Sequence, residues 1–221
     1  MSLLELRQRF VEISGRYDLI ELNDYSDLGA NQFIHDGQKM LDRMLINQNE
    51  EISIPVIAGN YLVELGRVAR KIDNVFFEYN NATVCLELKT LSDLKKVFGK
   101  SFGNVDSGCP IYWSFNIGNP VTARSSIVIL APTDTAITLK IDGLFDTPLM
   151  NDLTGDGAVE ENLWSLNYPE ILIKAALYQL EVINRNTKAA ENWLMAIKFE
   201  LEEIDMDLAM MESSHTIQME G

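Results

Sequence analysis

Apolar positions along the 221-residue chain change their period twice. Near the start, Leu3, Leu6, Phe10 and Ile13 recur at steps of three and four, which places them on one side of a helix. Gly15 supplies its stop. A second helix is expected after Asn23-Asp24-Tyr25-Ser26-Asp27, whose short polar side chains are N-cap candidates. Its apolar face reads Ala30, Phe33, Gly37, Met40 or Leu41, and Met44. A glycine inside a helix costs about 1 kcal/mol against alanine, so Gly37 points to a close backbone approach.

From Ile52 to about Lys89 the chain turns β-branched and aromatic, punctuated by turn formers. Pro55 and Gly59-Asn60 cut Ile52–Leu65 into short strands. Val75–Tyr79, the Asn80-Asn81 turn and Thr83–Leu88 read as a hairpin. Ser92 is placed to cap a short helix that runs through Phe98 and ends at Gly99. A second β region spans Ile111 to Ile141, where Ile137, Leu139 and Ile141 alternate with Thr138, Lys140 and Asp142 as in a half-buried strand.

Helical spacing then returns. Pro169 suits the first position of a helix with the stripe Leu172, Ala176, Leu180 and Ile183. Asn184–Thr187 is a short link, with Thr187 as the next cap. Beyond it Ala190, Leu194, Ile197, Leu201, Ile204, Leu208 and Met211 form an a/d heptad seam. A link this short makes the two helices an antiparallel hairpin. The expected fold is α+β: terminal helices packed as an antiparallel bundle, with an inserted small β-rich module and an extended C-terminal tail. Its expected boundaries are 1–50 for the N-terminal helical pair and 51–145 for the β-rich module with one short helix. An acidic loop and the C-terminal helical hairpin take 146–212, and a flexible tail takes 213–221.

The composition, 47% hydrophobic and 23% charged, is that of a folded chain. No apolar run reaches the roughly 18 residues that a bilayer requires. Charge interrupts the N-terminal apolar run at Glu5 and Arg7, unlike a signal peptide, so synthesis and retention in a cytoplasm are expected. The net charge of −15 opposes tight nucleic-acid binding. The acid is uneven: after Lys198 there is no Lys or Arg, while Glu200, Glu202, Glu203, Asp205, Asp207, Glu212 and Glu220 follow. Such a run is either a solvated helix face or a tail that docks on a basic partner.

Tests for chemistry come back negative. Cys85 and Cys109 lack CxxC spacing and read as buried, reduced thiols. With only His35 and His215, a zinc site is poorly supplied. Asp152-Leu153-Thr154-Gly155-Asp156-Gly157-Ala158-Val159-Glu160 resembles the opening of a calcium loop, but its closing bidentate position falls on Leu163, which favours an ordinary surface loop. Ser213-Ser214-His215 sits where no scaffold holds a triad, and His35 reads as a surface or packing residue. Glu202 and Glu203, adjacent on a helix, point different ways. Gly99-Lys100-Ser101 lacks the first glycine of a phosphate loop, since Leu94 stands there. Trp113, Trp164 and Trp193 could suggest sugar binding, though Trp193 on a regular helix fits core packing. No catalytic residue, metal site or cofactor is expected.

An ordered set of segments carries a resemblance. Leu3-Leu4-Glu5-Leu6-Arg7 and Ser14-Gly15-Arg16-Tyr17-Asp18-Leu19 look like the start of the adaptor proteins of short-tailed, podovirus-type bacteriophages. Gly29–Ile34, Gly37-Gln38 and Leu41-Asp42-Arg43 are similar to their second helix. Gly108-Cys109-Pro110-Ile111-Tyr112, Trp164, Tyr168–Leu172, Leu180-Glu181, Arg185-Asn186 and Trp193 through Asp207 follow in the same order. The resemblance implies a virion structural protein at the head-tail junction, made in the host bacterial cytoplasm. It implies a head-tail connector, a dodecameric ring of copies between the portal protein and the tail nozzle, with genomic DNA passing the lumen without specific binding and no membrane contact. It implies portal docking by the C-terminal segment, here through Met206, Leu208, Met210, Met211, Ser213, Ser214, His215, Thr216, Ile217 and Met219. The seam residues Leu194, Ile197, Leu201 and Ile204 are expected to serve subunit packing. The alternatives are a receptor- or carbohydrate-binding virion module and a metal-dependent hydrolase.

Overall fold

The computed structural model describes residues 1–45, 49–79, 82–99, 101–116, 125–153 and 158–217, of which 207–209 and 211–217 are described by backbone alone. The chain divides into two units, Met1–Gln48 with Thr147–Gly221, and Asn49–Asp146.

The first unit is helical. Helix α1 (Leu3–Ser14) opens on a capping box, in which the Ser2 hydroxyl accepts from the Glu5 amide and the Glu5 carboxylate accepts from the Ser2 amide. It closes on Gly15 in the left-handed conformation, φ 70°. Its buried arc runs through Leu3, Leu6, Arg7, Phe10 and Val11, and Ile13 is 51% exposed. The arc is rotated away from the expected stripe because Arg7 is drawn inward by polar partners.

Helix α2 (Ala30–Met44) starts where Asp27 accepts from the amides of Gly29 and Asn31, so one of the expected polar residues does the capping. Its core positions are Ala30, Ile34, Gly37, Gln38 and Leu41, while Phe33, Met40 and Met44 flank the core half-buried. Gly37 meets helix α5 (Pro169–Ile183): a Cβ there would lie 2.8 Å from the Ala176 nitrogen and 2.9 Å from the Ala175 carbonyl carbon. The close approach read from the sequence is therefore real.

Helix α4 (Leu163–Asn167) precedes α5, and α6 (Thr187–Ile217) follows it. Two expectations change here. Ile183, at the end of α5, is 63% exposed, and the cap of α6 is Asn186, which accepts from the Ala189 amide. Lys174 pairs with Glu200, each thirteen residues from Thr187, as an antiparallel hairpin requires. The helix also continues five residues past 212, the end expected from loss of periodicity.

The second unit holds two four-stranded sheets. Strands β1 (Glu50–Val56), β3 (Ala69–Tyr79), β4 (Ala82–Cys85) and β8 (Ile137–Phe145) form one, in the order β1-β8-β3-β4. Strands β2 (Leu62–Glu64), β5 (Glu87–Leu88), β6 (Tyr112–Phe115) and β7 (Ser126–Leu130) form the other, in the order β2-β7-β6-β5. Val75, Phe77, Leu139 and Ile141 from the first meet Val63, Trp113, Ile127 and Ile129 from the second in one core. The other face of β7, Val128 and Leu130, is covered by Leu94 of α3 (Leu91–Phe98), so every residue of β7 is buried. Coverage on both faces explains its unbroken apolar run.

The hairpin of β3 and β4 pairs Tyr79 with Ala82, and its turn residues Asn80 and Asn81 lie outside the described residues. Thr90, not Ser92, caps α3 by accepting from the Asp93 amide, because the helix starts one residue before Ser92. Gly143 faces irregular pairing in β3, and a Cβ there would lie 2.2 Å from the Lys71 carbonyl oxygen. Cys85 and Cys109 are both exposed, against the expectation of burial. Cys85 ends an outer strand of its sheet, and Cys109 lies in the connection between α3 and β6, so neither faces a core.

Candidate functional site

The helical unit buries a polar knot that a search for catalytic groups would single out. Asp42 on α2 is 2% exposed. Its carboxylate accepts from the Thr147 amide at 2.9 Å, the Thr147 hydroxyl at 2.6 Å and the Trp164 Nε1 at 2.6 Å. One turn earlier Gln38 donates to the carbonyls of Thr147 and Pro148 and accepts from Asn162 Nδ2. Asn162 in turn caps α4 through a reciprocal bond with Ser165. His35 contacts the Met150 carbonyl at 2.8 Å, a packing role as expected.

These groups are satisfied by one another and sealed, so no substrate can reach them. The knot pins the 147–165 segment to α2. A second knot centres on Arg7, which is 3% exposed and donates to the Asn31 side chain, the Tyr25 carbonyl and Asp152. The same Asp152 oxygen also accepts from Asn31 Nδ2. The first residue of the calcium-like stretch is thus used to hold a guanidinium, while Thr154–Gly157 lie outside the described residues.

Among the described residues no three His, Cys, Asp or Glu side chains lie close enough to hold a metal ion, and no helix is long and apolar enough to cross a membrane. Trp113 and Trp164 are 1% and 0% exposed, and Trp193 packs half-buried against the helical core, so none offers an open stacking face.

What the surface offers instead is α6. Its inner side carries Ile197, Leu201 and Ile204, buried in the helical core of the same chain, with Leu194 half-buried beside them. Of the residues expected to dock a partner, Met206 and Met210 are 59% and 61% exposed. Leu208, Met211, Ser213, Ser214, His215, Thr216 and Ile217 lie on the helical backbone with their side chains outside the described residues, as does all of Met219.

Two surface residues escape the sequence reading: Met195, 66% exposed, and Phe199, 64% exposed. With Met206 and Met210 they recur at steps of four, seven and four, half a turn away from the seam. That spacing was available in the sequence, but the stronger heptad seam on the opposite side masks it. Glu202 and Glu203 stand exposed between Phe199 and Met206. Beside them, Asp205 keeps one carboxylate oxygen buried without a hydrogen-bond partner, and burial pushes its pKa up.

The arrangement suits binding: an apolar line flanked by carboxylates on a stiff rod. No curated protein gives a significant match to this chain. A family model described as SU10 adaptor protein matches residues 1–217. The chain belongs to the SU10 adaptor protein family, and with it to the phage adaptor proteins that its ordered segments resemble.

Proposed function

We propose that copies of this chain form a ring seated between the portal and the tail nozzle of the virion, and that residues 206–221 dock on the portal. The observation that supports the docking is the exposure of Met206 and Met210 near the end of α6. Among the described side chains Ile204 is the last of α6 in the helical core, and the helix continues to Ile217, about 20 Å farther at 1.5 Å per residue. A helix end with Met206 and Met210 exposed has binding surface to offer.

From Asp205 to the end the chain has four acids and no Lys or Arg, so the complementary surface on the portal is basic. The net charge of −15 suits a lumen through which DNA slides without adhering, because carboxylates repel the phosphate backbone. In this reading the chain acts by contact between surfaces rather than by lowering a reaction barrier.

Negative-stain images of the full chain mixed with the portal test the reading, the expected result being a ring added to one end of the portal. Deleting 206–221 leaves the described helical core through Ile204 in place and is expected to abolish decoration with the helical circular dichroism otherwise retained. A truncated chain that still decorates portals rejects the docking assignment. A full chain that leaves portals bare rejects the adaptor ring.

A further inference from the structure

A second surface on the helical unit complements the outward line of α6. Between α2 and α5 runs a groove of about 580 Å³, walled by Lys39, Met40, Arg43 and Met44 on one side and Tyr178 and Val182 on the other. Met40, Met44, Tyr178 and Val182 give it apolar surface around Gln179, and its α2 rim carries Lys39 and Arg43 beside Asp36. Lys39 shares its charge with Asp36 at 3.3 Å, while Arg43 is exposed and has no ion-pair partner among the described residues.

We propose that the outward line Met195 and Phe199 of one copy lies in the α2/α5 groove of the next copy, with Glu202 and Glu203 against Lys39 and Arg43. The inference rests on the ring reading and deepens it by assigning the contact that repeats from subunit to subunit.

Three observations argue for a second copy as the occupant. The lengths agree: Met195 to Glu203 spans about 12 Å of helix, as does Asp36 to Met44, the α2 wall. The charges agree, carboxylates standing beside the apolar anchors of one surface and cations beside the methionines of the other. Finally, the two surfaces share no residue, so the contact is head-to-tail, the kind that closes into a ring when the rotation allows. Symmetric pairing of two α6 helices is the competing geometry, and it sets Glu202 and Glu203 against their own copies. A single helix in a groove falls short of the roughly 1,200 Å² of a standard stable interface, so the contact is weak until the copies are held together.

Covalent trapping reads a weak contact directly. In a Cys85→Ser, Cys109→Ser background, Phe199→Cys combined with Val182→Cys is oxidised at high protein concentration, without any portal. The expected product is a ladder of dimers, trimers and higher multimers. Dimers alone, appearing equally with Phe199→Cys as the only cysteine, mean that α6 pairs with α6 and overturn the proposal, as does the absence of any ladder.

Charge reversal then tests the partners. Lys39→Glu with Arg43→Glu is expected to reduce the ladder at least tenfold, and adding Glu202→Lys with Glu203→Lys to restore it. A ladder indifferent to the first pair, or not restored by the second, also overturns it. Unchanged helical circular dichroism of each variant establishes that the fold is kept. Because no portal is present, a missing ladder counts against this contact, whereas bare portals in the imaging experiment count against the adaptor reading.

Discussion

The helical unit carries 22 acidic against 9 basic residues, and the β unit 11 against 9, so nearly all of the net charge belongs to the helices. Their interiors differ in the same direction. The helical unit buries Arg7, Gln38, Asp42, Thr147, Asn162 and Ser165, whereas the buried polar residues of the β unit are Ser114, Ser126 and Thr133. Two sheets with apolar inner faces find their register through strand hydrogen bonds, and a side chain placed one residue off points to the wrong face. Packed helices have no such ladder between them, and an apolar stripe tolerates sliding. Bonds such as Trp164 Nε1 to Asp42 are made in one arrangement only, so in this unit directional polar contacts do what the strand ladder does in the other.

The comparison can be broken most forcefully in the β unit. Trp113→Ala removes the largest side chain of the sandwich core and is expected to cost about 3–5 kcal/mol in denaturant unfolding. Hydrogen exchange should place the lost protection within 49–146, and equal loss in the helices would end the idea that each unit answers to its own core.

The next effect belongs to the knot. Asp42→Asn keeps the size of the side chain but turns one acceptor into a donor facing the Thr147 amide or hydroxyl, at an expected cost of about 2–3 kcal/mol. Loss of protection should centre on 147–165, together with a change in the fluorescence of Trp164. If the variant unfolds like the parent chain, the polar knot does not fix the helical register.

Gly37→Ala should cost about 1–3 kcal/mol, because the added methyl meets backbone of α5 that cannot yield as a side chain would. An unchanged midpoint in urea would mean that α2 and α5 can separate freely.

The smallest expected effect has the opposite sign. Burial raises the Asp205 pKa above its ordinary 3.8, so the folded chain holds that proton more tightly than the unfolded chain does. Its presence therefore costs stability progressively as pH rises from about the unfolded value through the folded one. Asp205→Asn is expected to be slightly more stable than the parent above this window and equal to it below. Thermal melts at pH 3 and pH 7 measure the difference, and a gain at the lower pH alone would contradict the sign.

How much of this was legible beforehand depends on the range of the interaction involved. The C-terminal ends of α1 and α3 were legible at Gly15 and Gly99, because capping acts within a few residues. The alternation in β8 and the seam of α6 likewise belong to local periods of two and three to four.

Other features needed the whole fold. Nothing local marks Arg7 and Asp42 as buried, because their partners, Asp152 and Thr147, lie in the connection between β8 and α4, far away in sequence. Ile13 and Ile183 read as core residues, yet both end up exposed because an apolar side chain is buried only where another element covers it. The two cysteines miss burial for the same reason. Met195 and Phe199 stood in the sequence at helical spacing, but only tertiary packing decides which of two apolar lines on one helix turns inward. Local sequence sets the periods and caps of this protein, and long-range packing sets which side of each element is left free to bind.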